Sequence, residues 1–251
     1  MSDKEKYSFP FEPIDLPSGG KLYADGSPLR DGTIDIKYMT AREEDILTSQ
    51  NLIKKGIVLD LLMNSLILSK GVHVDDLLVG DKNAVMVAAR ILAYGSDYTV
   101  SLTDYETDEQ FEHTFNLADL PYKVLPDDVT YDKNEFEIEL PVSKSNIIFK
   151  LLNGRDEKSI NSELKALEKL GSTSKDITTR LKHSILSVDG ESDKSKINDF
   201  VDNMLSRDSL FLRNRITKIS PDIEFTQIVE FNGTEREVIV PMELGFFWPS
   251  S

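Results

Sequence analysis

The chain has 251 residues and a formal net charge of −15, with 39% hydrophobic residues, 29% charged residues and no cysteine. That length and composition can bury the core of one large or two small globular domains. The carboxylate surplus repels phosphate and argues against wrapping nucleic acid. The missing thiols exclude disulfides, thiolate zinc sites, thiol nucleophiles and iron–sulfur clusters.

The opening MSDKEKYSFPFEP has no apolar run and does not read as a signal peptide. The longest apolar stretch, Gly56 to Leu68, is broken by Asp60, Asn64 and Ser65 and is too short and polar to span a bilayer. A soluble, intracellular protein is the expectation. Residues 1–33 carry four prolines (Pro10, Pro13, Pro17, Pro28) and four glycines, which predicts an extended arm rather than a helix. Phe9 and Phe11 alternate near its start, and large apolar side chains on an arm point to docking on a core or a partner. A short strand is predicted at Thr33–Tyr38.

Thr40 with Glu43 forms a capping-box pattern opening a helix to about Ile53, and Gly56 separates it from a second helix at Ile57–Leu68. A third, alanine-rich helix starts at Asp81 and closes at Gly95. An alternating strand–turn–strand segment follows at Tyr98–Leu117 and has a shorter counterpart at Glu224–Pro241. Both have the outline of a ribbon hairpin of the kind usually clamped by zinc, here without ligands. In the second, Asn232–Gly233 is a type I′ turn signal able to close a hairpin unaided.

Between the ribbons, strands are predicted at Glu135–Leu140 and Asn146–Leu152. Four helices follow, over Glu157–Leu170, Ser174–Leu186, Ser192–Leu205 and Asp208–Ile219. The fold class is therefore α+β: helical bundles with two zinc-ribbon-like β-hairpins that lack the cysteine ligands, plus an N-terminal arm. The expected organisation is an arm at 1–33, a helical lobe with the first ribbon at 34–125, and a strand pair, helical lobe and second ribbon at 126–251.

Chemistry-bearing patterns are sparse. His73, His113 and His183 show no metal-ligand spacing. Carboxylate pairs such as Glu43–Glu44 have no aromatic cleft around them. SGGKLYADG lacks the spacing of a phosphate loop, and VDGESDKSK lacks the alternating ligands of a calcium loop. Neither catalytic residues nor a cofactor nor a metal is expected. What stands out is a basic cluster containing Arg180 and Arg213, set against ordinary surface ion pairing, and the C-terminal GFFWPSS. Each of its aromatics can bury on the order of 150–250 Å². Phe246 reads as self-packing, whereas Phe247 and Trp248 read as partner contacts.

Several long motifs resemble the T4-type bacteriophage baseplate hub family, hub subunits and hub assembly proteins included. They are LPSGGKLY with DGTIDIKYMTAREEDILTSQNLIKKGIVLD, then VGDKNAVMVAARILAYGSDYTV, FKLLNGRDEKSI, TTRLKHSILSVDG, DNMLSRDSLFLRNRI and IVPMELGFFWPSS, in the same order along nearly the whole chain. In that family the hairpin turns are associated with CxxC pairs; here they read TDYETDE (103–109) and EFNGTE (230–235), which removes the zinc role. The resemblance implies a non-enzymatic role in building the baseplate hub, as assembly factor or hub subunit. It implies contacts with other phage hub proteins or with further copies of the chain, in the host cytoplasm during assembly or in the virion tail baseplate. The rival readings are a nucleic-acid-binding ribbon protein, a tail chaperone for the tape-measure protein, and a cell-wall hydrolase.

Overall fold

A computed structural model describes residues 9–171, 175–242 and 244–247. Strand β1 (Phe11–Asp15) pairs antiparallel with β2 (Thr33–Lys37), Phe11 opposite Lys37 and Ile14 opposite Ile34. The connection between them, read from the sequence as part of an extended arm, packs on the protein's own cores. Leu16, Leu22 and Leu29 are buried, and the loop folds back on itself. A side chain at Gly20 would meet the Arg30 carbonyl at 2.4 Å, and one at Gly32 would meet Gly19 backbone at 2.8 Å. Both glycines also hold φ of 75°, which side chains disfavour. The glycines and prolines thus build a close-packed loop.

Helices α1 (Ala41–Thr48), α2 (Gln50–Lys55) and α3 (Val58–Leu66) follow. The Thr40 backbone N–H donates to the Glu43 carboxylate at 3.0 Å, as the capping pattern predicts. Helix α4 (Val79–Tyr94) runs into the first ribbon, β3 (Asp97–Thr103) and β4 (Gln110–Asn116).

The second half begins with β5 (Phe136–Glu139) and β6 (Asn146–Phe149), then α5 (Gly154–Lys169), opened by reciprocal Asn153–Asp156 capping. Helix α6 (Asp176–Ser184) ends earlier than the sequence pattern predicts, because Ile185–Val188 forms strand β7 and completes a sheet in the order β5-β6-β7. Ile185 and Ser187 turn inward there while Leu186 and Val188 do not, a period of two inside an apparently helical run. Helices α7 (Lys194–Asp202) and α8 (Ser206–Ile219) lead to the second ribbon, β8 (Thr226–Phe231) and β9 (Thr234–Ile239). Asn232 and Gly233 hold φ of 51° and 75°, the type I′ geometry anticipated from the Asn-Gly pair.

Two cores result. The second gathers Phe136, Leu140, Phe149, Ile185, Ile197 and Leu212. The first gathers Ile36, Leu62, Met63, Leu66 and Val85, together with Val229, Val240, Phe246 and Phe247 from the chain's far end. The cores therefore do not follow the expected division at 125/126: the second ribbon belongs to the first core. Close backbone contact joins the halves, since a Cβ on Gly80 would lie 1.9 Å from the Pro221 carbonyl and one on Gly154 2.7 Å from Asp75 Cα. Lys158 adds charge pairs across the same seam, at 2.6 Å to Asp75 and 3.2 Å to Asp60.

Candidate protein–protein interface

The motifs that stand out in the sequence meet in two buried polar nodes. In the first, Asp81 at the start of α4 is wholly enclosed. It accepts hydrogen bonds from Ser18 N at 2.9 Å, Ser18 Oγ at 2.7 Å and Tyr23 Oη at 2.5 Å, while Tyr23 Oη accepts from Leu78 N at 2.9 Å. Burial pushes the Asp81 carboxyl above its ordinary range, and the three donors only partly oppose this. The node ties the SGGKLY loop to the VGDKN helix start. Sealed from solvent, Asp81 serves the fold.

The second node is Arg90, 3% exposed. Its guanidinium donates to the carbonyls of Phe246 (2.9 Å), Gly95 (2.8 Å) and Asp97 (3.2 Å). Burial lowers its pKa, and the carbonyl dipoles replace water around the charge. Arg90 thereby fastens the chain's end to the turn that launches the first ribbon.

The ribbons also bind each other. Phe111 and Phe231 stack with centroids 4.2 Å apart. Arg236 of β9 reaches Asp104 at 3.0 Å and Glu106 at 2.8 Å in the turn of the first ribbon. The Asp104 carboxyl is held below its ordinary range by the Glu106 backbone N–H and by Arg236. A cation from one ribbon clasps the turn of the other. Among the described residues no group of three or more His, Cys, Asp or Glu side chains could hold a metal. No described helix is long and apolar enough to cross a membrane.

The sequence-derived contact residues fall in different places. Phe9 and Phe11 are 49% and 50% exposed, with the Lys37 ammonium 5.1 Å above the Phe9 ring. Phe247 is 1% exposed and packs edge-on against Phe246 at 5.4 Å, so it is a core residue and is withdrawn as a surface contact. Phe246 in turn meets the Tyr98 ring at 4.9 Å, and burying both rings satisfies the apolar chain end internally. Trp248 lies outside the described residues. Arg180 is bound by Glu157 at 2.6 Å and Asp176 at 3.1 Å. Arg213 lines the same cleft of about 320 Å³ between α6 and α8, and its buried Nε has no hydrogen-bond partner among the described residues. The aromatic pair and the arginine pair sit on different lobes and are not brought together.

One match decides the family. The model of the T4 bacteriophage base plate protein family aligns with residues 8–247. The chain belongs to that family. It is a phage baseplate protein, and that family points to contacts with other baseplate proteins. No curated protein and no solved structure matches this baseplate chain. The Asp81 and Arg90 nodes are scaffolding: they hold the SGGKLY loop, the VGDKN helix start and the Phe246 carbonyl in place.

Proposed function

We propose that this baseplate protein acts in building the hub, as an assembly factor or hub subunit, through protein–protein contacts and without enzymatic activity, in the host cytoplasm while the tail is made. The observation that carries this reading is the half-exposed pair Phe9 and Phe11, the first just before and the second at the start of an outer strand of the first lobe. The free edge of β1 carries Pro13, with Pro10 just before it, and proline discourages backbone strand addition. Recognition there falls to the aromatic side chains, which are favoured contact anchors. The two hairpins are tied to each other by Arg236, which reaches Asp104 and Glu106. Net charge of −15 weighs against a nucleic-acid role.

The test is complementation. A Phe9→Ala/Phe11→Ala variant is expected to fold normally, with a thermal midpoint close to the parent, and to lower the yield of hub-containing baseplates in infected cells. Undiminished yield with the double variant would refute the reading.

A further inference from the structure

Helix α8 buries Asp208, Leu212 and Ile219. Its opposite face, spaced i, i+3, i+4, i+7 and i+11, is Arg207, Leu210, Phe211, Asn214 and Lys218, all exposed. Leu210 and Phe211 are 50% and 41% exposed. Arg207 and Lys218 make no ion pair among the described residues, although the chain carries 44 acidic residues. This is a basic and apolar stripe on an acidic protein.

The outer face of the second ribbon has the complementary character. Ile228 and Ile239 are 71% and 70% exposed, and Glu230, Glu235 and Glu237 project beside them. Glu230 stands directly opposite Glu235 across the strands, a like-charge pair that opposes ribbon stability, and neither carboxylate makes an ion pair among the described residues. The inner face of the same ribbon is committed to the first core through Val229 and Val238, so among the described residues both outward faces stay open.

We propose that a second copy of this chain docks its outer β8–β9 face onto the exposed face of α8. Two isoleucines meet Leu210 and Phe211, and the carboxylates meet Arg207 and Lys218. The Glu230–Glu235 repulsion is relieved by the arriving cations. The two surfaces differ, so two copies either exchange both contacts in a symmetric pair or join head to tail into a ring or row. At physiological salt the Debye length of about 8 Å screens the overall like charge while leaving pairs in contact effective.

Sedimentation velocity of the full chain at physiological salt tests this independently of the hub reading. Wild type is expected to self-associate, and Arg207→Glu/Lys218→Glu or Glu235→Lys/Glu237→Lys is each expected to weaken association at least ~10-fold. Circular dichroism and thermal unfolding confirm that both variants fold. Mixed together, the two variants should associate again, because the reversed charges are complementary. The proposal is overturned by a wild type that is still monomeric at about 100 μM, a concentration at which a contact of micromolar Kd would be largely formed. It is equally overturned by reversals without effect, or by a mixture that stays apart.

Discussion

On the outward face of β3–β4 stand Thr99, Ser101, Glu112 and Thr114, and Thr99 and Thr114 share a cross-strand hydrogen bond of 2.8 Å. The equivalent face of β8–β9 carries Ile228, Ile239 and three glutamates instead. The inward faces are alike: Tyr98, Phe115 and Val229 are buried in one core, and Phe111 and Phe231 stack on each other. The same architecture is thus finished for water in one ribbon and left apolar and anionic in the other. An alternating strand fixes only which residues share a face. Whether the outer face ends at solvent or at a partner is decided by what is placed there.

The largest expected effect severs the second ribbon from the core it shares with the first. Phe246→Ala removes the ring that meets both Tyr98 and Phe247 and should destabilise the protein by about 3–5 kcal/mol, read by denaturant unfolding. Amide exchange should rise first across 226–239, with 97–116 following. Equal loosening of both ribbons would mean that the chain end holds them as one unit.

A smaller effect isolates the ribbon–ribbon contact. A double-mutant cycle on Phe111→Leu and Phe231→Leu should give a coupling of about 0.5–1.5 kcal/mol from the stacked pair. Additive losses would show that each ring serves only its own ribbon.

The Arg236 clasp should show itself in acid. The folded-state pKa of Asp104 is depressed below its unfolded value near 3.8, so its contribution is present above that value and is lost as pH falls through the folded one. Arg236→Ala should therefore lower the thermal midpoint at pH 7, and the gap from wild type should narrow below about pH 3.8. Asp81 has the opposite sign. Its folded pKa is raised, so its charged form opposes folding at neutral pH and acid relieves that penalty. A gap that stays constant through the acid range would remove Asp104 from the clasp.

Local chemistry was legible in the sequence, and distant partnership was not. The Asn232–Gly233 turn and the Thr40–Glu43 cap follow from residues within four positions of one another. Strand β7 was hidden because ILSV continues the apolar spacing of α6, and only pairing with β6 makes it extended. The prolines and glycines before β2 suggest an arm, yet the loop closes through Gly20 and Gly32 against backbone distant in sequence. Phe247 looked like a contact because nothing local reveals that Arg90 draws the chain end inward. The α8 stripe was present in the spacing of Arg207, Leu210, Phe211 and Lys218. It gained meaning only once the other side of the helix was seen to be buried.

The smallest effect on stability is expected where the ribbons differ most. Ile228→Thr and Ile239→Thr keep β-branched side chains suited to a strand at positions where most of each side chain already meets water. Little apolar area is returned to solvent, so unfolding free energy should change by no more than about 0.5 kcal/mol. The double variant makes the outer face of β8–β9 resemble that of β3–β4, with its threonines. If those isoleucines are maintained for a partner, association should fall while the thermal midpoint holds. A clear loss of stability with association untouched would instead make Ile228 and Ile239 part of the ribbon's own packing, and the difference between the two ribbons would no longer mark an interface.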